Sequence, residues 1–325
     1  PPPPQPVSLN GEGAGGEDGS GSSKADVLKL EVDSALADVA SLVGDFPGGD
    51  DIQAITLQTL PHDWNRSGAG RSNVLSIRDV SVLTPDRRRT LCSGLSFDVA
   101  SGSKLLIVGE SGTGKSSLLR AIAGLWRAGQ GSVVRPSNDE VFFLPQKPYC
   151  TLGSLRDQLK YPGEEKWRGS RQRRQTKTYA SEDEELLAIL DAVKLTGLAE
   201  KWSKAADGSG GGDGKAELAR ALDVVQDWSS ILSLGEQQRL AFGRLLYAHP
   251  SLAILDEATS AMDLETERMM YKVMEAWVPG ISVVSVGHRP SLKAFHGMML
   301  RLKTDEDWEI KDMALVQETE KATVL

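Results

Sequence analysis

Leu105-Leu-Ile-Val-Gly-Glu-Ser-Gly-Thr-Gly-Lys-Ser-Ser117 sets an apolar run directly ahead of a glycine-rich loop, and that loop directly ahead of a helical pattern. Gly109 to Ser116 spell G-x-x-x-x-G-K-S, flanked as such a loop requires by a strand behind and an amphipathic helix in front. The helix after Lys115 presents Leu118, Leu119, Ile122, Leu125 and Trp126 as one stripe that packs on a sheet. Gly109, Gly112 and Gly114 let the backbone curl around phosphate oxygens and aim successive N–H groups inward, with the helix N-terminus adding its dipole. Lys115 can bridge β- and γ-phosphates, and the Ser116 hydroxyl suits Mg²⁺. Gly109, Glu110, Ser111, Gly112, Thr113, Gly114, Lys115, Ser116 and Ser117 are therefore the candidate binding residues for a nucleoside triphosphate.

Downstream, Leu252-Ala-Ile-Leu-Asp-Glu-Ala-Thr259 reads as an apolar strand ending in two adjacent carboxylates, which the pleat sends in different directions. Asp256 can hold the water shell of Mg²⁺, while Glu257, just past the strand end, can orient and deprotonate an attacking water. Beside the glycine-rich loop, the pair reads as the second half of a hydrolytic site.

Further strands are expected at Val74 to Val82, Leu95 to Val99, Lys104 to Val108, Val141 to Leu144 and Ile281 to Val286, alternating with helical patterns in an α/β chain. Ser181 with Glu184 forms a capping box ahead of Leu186, Ile189, Leu190 and Val193, which predicts a structural helix. Residues 1 to 23 are Pro-, Gly- and Ser-rich and bury too little apolar surface to offset their ordering entropy, so residues 1–72 are expected to be a flexible linker. One amphipathic helix is expected within residues 24 to 44, and Asn73 is the expected start of the folded domain, which runs to Leu325. The basic tract from Lys166 to Lys177 and the glycine-rich run from Asp207 to Gly214 both read as surface loops.

A chain of 325 residues with 40% hydrophobic and 25% charged positions can bury a core and is not a disordered or collagen-like chain. Its two cysteines, Cys92 and Cys150, are too few for a cysteine zinc site or a disulfide scaffold, which argues for reduced thiols in a reducing compartment. A net charge of −8 argues against a general nucleic-acid binder. No apolar window reaches the length of a spanning helix. The opening at Pro1 shows no secretory signal and is read as a piece of something longer.

Asp227-Trp-Ser-Ser-Ile-Leu-Ser-Leu-Gly-Glu-Gln-Gln-Arg239 resembles the signature segment of ABC (ATP-binding cassette) ATPases. Leu144-Pro-Gln-Lys-Pro-Tyr149 resembles their Q-loop, Ser260-Ala-Met-Asp263 their D-loop and Ser285-Val-Gly-His-Arg289 their switch-histidine loop. With the glycine-rich loop and the acidic strand, six motifs stand in family order from Val74 to about Leu302. The resemblance implies a P-loop NTPase of ABC ATPase type, with a mixed-sheet core and a helical subdomain inserted at about residues 147–235. It implies Mg²⁺-dependent ATP hydrolysis between two domains facing head to tail, each ATP lying between one subunit's phosphate loop and the other's Ser233 and Gly235. Gln146 would contact Mg²⁺ or the attacking water, giving Ser116, Gln146 and Asp256 as the metal set, and His288 would bond the γ-phosphate beside Glu257. The backbone around Asp263 would cross the dimer interface. Of the remaining histidines, His249 and His296 read as capping or packing residues, and His62 falls in the loose N-terminal region.

Leu234 and Glu236 depart from the common Leu-Ser-Gly-Gly-Gln, while Ser233 and Gly235 remain. The aromatic that many members stack on adenine would fall near Thr84, where there is none. The combination of Val82-Leu-Thr-Pro85, Gly124-Leu-Trp126, Gly153-Ser-Leu-Arg-Asp-Gln158, Tyr161-Pro162 and His288-Arg-Pro-Ser-Leu292 is similar to subfamily D, the peroxisomal and chloroplast fatty-acyl type, and to related bacterial half-transporters. In that group the missing aromatic is normal, and six transmembrane helices precede the ATPase on one chain. The implied partner is that transmembrane domain, with the ATPase on the cytosolic or stromal face of a membrane in peroxisome or chloroplast and a fatty acid or acyl-CoA as cargo. A soluble ABC ATPase acting on nucleic acid or ribosomes is the alternative; such relatives carry two cassettes, a long coiled-coil insertion or zinc cysteines, and none is present here. A catalytically silent cassette fits less well, because Lys115, Asp256, Glu257 and His288 are all present.

Overall fold

The computed structural model describes residues 54–61, 64, 72–206, 214–303 and 307–313, with side-chain detail omitted for 203–217. Residues 1–53 of the expected N-terminal linker, with the helix expected within residues 24 to 44, lie outside the described residues, as does the glycine-rich run up to residue 213.

Two sheets form the core. The first contains β1 (Thr56–Thr59), β2 (Asn73–Leu83), β3 (Thr90–Ala100) and, after β4 (Lys104–Gly109) and helix α1 (Lys115–Ala123), β5 (Gly129–Arg135), in the order β1-β5-β2-β3. The second joins β4 to β6 (Val141–Leu144), β9 (Leu252–Asp256), β10 (Ser282–Val286), β11 (Met298–Leu302) and β12 (Trp308–Asp312), in the order β12-β11-β4-β10-β9-β6. Only its β11–β12 edge pair is antiparallel. Between β6 and β9 run the short paired strands β7 (Gly153–Ser154) and β8 (Val225–Gln226) and the helices α2 (Leu155–Lys160), α3 (Glu164–Arg174), α4 (Glu182–Ala192), α5 (Thr196–Ala206), α6 (Gly214–Ala221), α7 (Trp228–Ile231) and α8 (Leu234–Ala248). Helix α9 (Leu264–Trp277) connects β9 to β10.

The period of two along the central strands separates the layers. Leu105 and Ile107 of β4, with Leu252 and Ile254 of β9, pack with α1 and the first sheet, whereas Leu106, Ala253 and Leu255 pack with the helical insertion and α9. Every residue of β9 and β10 is buried, as a parallel sheet covered on both faces requires. The strands therefore end at one rim, where β4, β9 and β10 release their loops beside one another.

Four sequence expectations are corrected. Asn73 does not open the folded part: β1 pairs in parallel with β5, Thr56 opposite Ser132, and Ile55 ahead of it is buried. Because every β1 side chain is exposed, no apolar pattern marks this edge strand. Leu125 and Trp126 are not on α1, which stops at Gly124 in the left-handed conformation; Leu125 is exposed and Trp126 turns to donate to the Leu83 carbonyl at 2.9 Å. The tract from Lys166 is no loop over most of its length but helix α3, with Trp167 and Ser170 buried three apart on one face. Two of its charges are paired: Arg171 binds Glu185 at 2.8 Å and Arg173 binds Glu140. Gly214, expected within a loop, opens α6.

Candidate functional site

The loop between β4 and α1 is shaped by close backbone approaches. Gly109 has φ +155°, and a Cβ there would stand 2.5 Å from the Leu302 carbonyl oxygen. Gly114, the residue before α1, has φ +87°, and its Cβ would meet that of Leu91 at 2.8 Å. At Gly112 a Cβ would meet nothing within 4 Å, so the loop's outer side is open. Lys115 folds back under the loop and donates to the carbonyls of Gly109 at 3.0 Å and Glu110 at 2.5 Å. It is only 7% exposed, yet no carboxylate lies within ion-pair distance of it among the described residues. Burial lowers its pKa, opposed by the charges of Glu257 and Asp256. A buried ammonium facing carbonyls at a helix N-terminus is a seat for an anion.

The acidic pair diverges as the pleat demands. Asp256, at the end of β9, accepts from Ser116 Oγ at 2.8 Å, and burial raises its carboxyl pKa against that bond. Glu257 leaves the strand at φ +49°, a left-handed conformation costly for a side chain with Cβ, about 1–2 kcal/mol. Its N–H donates to Val286 at 3.1 Å, which ties the strained residue to the end of β10. That turn carries the carboxylate between Gln146 and His288: Gln146 Nε2 donates to one oxygen at 2.7 Å, and His288 Nε2 meets the other at 3.0 Å. Residues 111 and 31 positions away in sequence thus converge on one carboxylate because β6, β9 and β10 end together.

The Ser116 hydroxyl and the Asp256 carboxylate are hard oxygen donors of the kind Mg²⁺ takes, and Gln146 adds an amide oxygen nearby through its contact with Glu257. The donor chemistry therefore fits a magnesium nucleotide: anion seat on Lys115, cation seat on Ser116 and Asp256.

Ser233 and Gly235 sit in a second place, at the start of α8. Ser233 is the N-cap, and both its N–H (2.9 Å) and its hydroxyl (2.7 Å) donate to the Glu236 carboxylate in a closed capping box. Gly235 lies against the Ala261 carbonyl, which a Cβ would approach to 3.0 Å. His249 and His296 have no place in the site. His249 caps the end of α8, His296 bonds Leu292 and Ser285, and burial drives both to a pKa of about 4.

Two residues that sequence reading passed over also belong here. Gln238 is wholly buried on α8 and Arg289 follows the switch histidine, and both hold the backbone of the Ser260–Asp263 loop. The signal for Gln238 was a polar residue in register with the buried Ala241 and Leu245, three and seven positions on.

Fold and site together define an α/β domain of the ATP-binding kind. The chain belongs to the ABC transporter family: the family model described as ABC transporter matches residues 92–260. The family couples ATP hydrolysis to transport. The chain is 42% identical over 236 residues to an uncharacterized ABC transporter ATP-binding protein of Synechocystis, covering 73% of this chain and 31% of that protein. It is 38% identical to the chloroplastic ABC transporter D family member 2 of Arabidopsis thaliana (74% of this chain, 36% of that protein) and 38% identical to the lysosomal cobalamin transporter ABCD4 of Mus musculus (73% and 35%). The chain thus spans about a third of the length of these relatives. Among solved structures it resembles a bacterial Atm1-family ABC exporter with ATP bound, with TM-score 0.58 and 22% identity over 90% of this chain and 46% of that one. It also resembles an inward-facing metal-chelate type ABC transporter, with TM-score 0.53 and 20% identity over 75% and 85% of the two chains. The fold expected from the motifs is therefore the fold observed.

Proposed function

We propose that this chain is the ATP-hydrolysing part of a half-transporter of D-family type, working as a head-to-tail pair beneath a transmembrane domain. The observation that carries the reading is the Glu257 carboxylate, fixed between Gln146 at 2.7 Å and His288 at 3.0 Å on the rim that also bears Lys115. Lys115 and the N–H groups of Gly109 to Ser117 would hold the β- and γ-phosphates. Ser116, Asp256 and Gln146 would hold Mg²⁺, which when bound supplies charge neutralisation on the phosphate oxygens. Glu257 accepts the proton of a water whose oxygen attacks the γ-phosphorus in line with the leaving ADP. Gln146 orients the base and His288, half-exposed on its other oxygen, hydrogen-bonds the γ-phosphate.

The partner chemistry follows from two surfaces. Ser233 and Gly235 present a helix start with a hydroxyl and N–H groups, the complement of a γ-phosphate seated on another copy's Lys115. Tyr149, Leu152 and Val225 are large apolar residues left 67%, 80% and 66% exposed close to the Gln146 loop and on the β7–β8 pair. Such a patch suits a helical end of a membrane domain, and no helix among the described residues is itself long and apolar enough to cross a membrane. The D-family relatives, one chloroplastic and one a lysosomal cobalamin transporter, support a membrane location. The ATPase on the cytosolic or stromal side and a fatty acid or acyl-CoA as cargo rest on the motif resemblance to subfamily D alone.

The test joins one Lys115→Ala chain to one Ser233→Arg chain by a flexible linker, which raises the effective concentration for pairing. Each lesion destroys one half of a composite site, so only the mixed dimer retains one intact site. Phosphate release above either tethered homomutant supports the head-to-tail pair; none, with the tethered wild type active, refutes it.

A further inference from the structure

The loop Ser260–Asp263 runs between β9 and α9 and is gripped from two sides. From the switch loop, Arg289 donates to the carbonyls of Met262 at 2.7 Å and Ser260 at 2.9 Å. From α8, the Gln238 carboxamide accepts from the Ala261 N–H at 3.1 Å and donates to Ser260 Oγ at 3.1 Å. The same amide nitrogen donates to the main-chain carbonyl of Gln146 at 2.8 Å. Gln238 has no exposed surface, so its own amide cannot turn to solvent in place of these three bonds, although their partners lie nearer the surface. One planar amide thus fixes the distance between the loop that carries Gln146 and the loop that ends at Asp263, and does so from the second turn of the helix that Ser233 caps. Gly235 sets the helix start against that loop so closely that an added Cβ would stand 3.0 Å from the Ala261 carbonyl oxygen.

We infer that Gln238 is a positioning residue that makes these elements one unit. When Gln146 is drawn to the nucleotide on its own subunit, the Ser260–Asp263 loop and the α8 start move with it, so occupancy of one phosphate site sets the surface that the same chain offers to the other. The cross-dimer part of this inference rests on the head-to-tail reading above. The link between loops rests only on the bonds within one chain.

The two are tested separately. In a Glu257→Gln chain that holds ATP without turnover, Cys150 is replaced by Ser and Leu264→Cys is labelled with an environment-sensitive fluorophore; Leu264 is 54% exposed and directly follows Asp263, while Cys92 is buried. Mg-ATP should change the fluorescence of this parent. Gln238→Glu keeps an acceptor for Ala261 but sets a carboxylate oxygen against the Gln146 carbonyl, and the neutral Gln238→Met loses all three bonds at similar length. In both, the fluorescence response should disappear while affinity for a fluorescent ATP analogue changes by less than about threefold and the protein remains folded by thermal melting. An unchanged response in both variants, no response in the parent, or loss of ATP affinity in step with loss of folding would overturn the inference. In the tethered dimer with Glu257 restored, Gln238→Glu should lower kcat about tenfold with KM nearly unchanged and abolish cooperativity in ATP. Lost fluorescence response with unaltered dimer kinetics would overturn the cross-dimer part and leave the link within the chain standing.

Discussion

The rim around Lys115 and the start of α8 are both helix N-termini dressed for phosphate, yet they stand in opposite states. At the rim, the cation faces only carbonyls and the acidic, amide and imidazole groups are already in contact with one another. At α8, Ser233 directs both of its donors to Glu236 on its own helix. One place is open toward a ligand and assembled by the fold; the other is closed on itself, and in the head-to-tail pair proposed above a partner's phosphate would have to compete for the serine. The difference teaches that two helix starts of similar chemistry can be set by different means, one by tertiary structure and the other by a local capping motif.

The largest effect should come from emptying the open place. Lys115→Ala should abolish the thermal stabilisation that Mg-ATP gives the wild-type chain, and a retained shift would remove Lys115 from the anion seat. Next, Glu257→Gln should keep ATP binding and lose about 10² to 10⁴ in hydrolysis rate, the usual worth of a placed base, measured by single-turnover phosphate release. Ordinary turnover in that variant would move the base elsewhere on the rim.

A smaller effect separates the working histidine from the structural ones. His249 and His296 have folded pKa values of about 4 against 6.5 when unfolded, so the unfolded chain binds the extra protons. Their contribution is present above pH 6.5 and is lost as pH falls toward 4, costing about 1–2 kcal/mol for each between pH 7 and pH 5. Urea denaturation at those two pH values should show the loss, and His296→Gln should flatten it, whereas His288→Gln should reduce hydrolysis. A pH profile of stability indifferent to His296 would contradict its burial as the neutral form.

The smallest effect probes the closed place. Glu236→Gln retains an N3 side chain able to accept from Ser233 but removes a carboxylate from the surface where a γ-phosphate would settle in the proposed head-to-tail pair. In the tethered dimer this variant should lower KM for ATP by about two- to fivefold with stability changed by less than about 0.5 kcal/mol. A raised KM would mean that the carboxylate assists the phosphate rather than competing with it.

Much of this was legible in the chain. The central strands could be read because a sheet buried on both faces needs unbroken apolar runs such as Leu252 to Leu255, and the loop because only Gly-rich sequence allows its curvature. Strand β1 could not, since its exposed Thr56, Leu57, Gln58 and Thr59 gain their place from backbone bonds to β5 and carry no apolar signature. Helix α3 was hidden for the opposite reason: its arginines resemble a solvated loop until Glu140 and Glu185 are brought beside them.

Sequence by itself determined the residue types, the divergence of Asp256 from Glu257 and the capping box at Ser233, because each depends on groups a few positions apart: pleat, loop and first helical turn. Tertiary structure alone decided that Gln146 and His288 close on one carboxylate and that Gln238 joins two loops. Those contacts span 111, 31 and 92 positions, and only the parallel order of β6, β9, β10 and β4, with α8 laid against the sheet, brings such distant groups within hydrogen-bond reach.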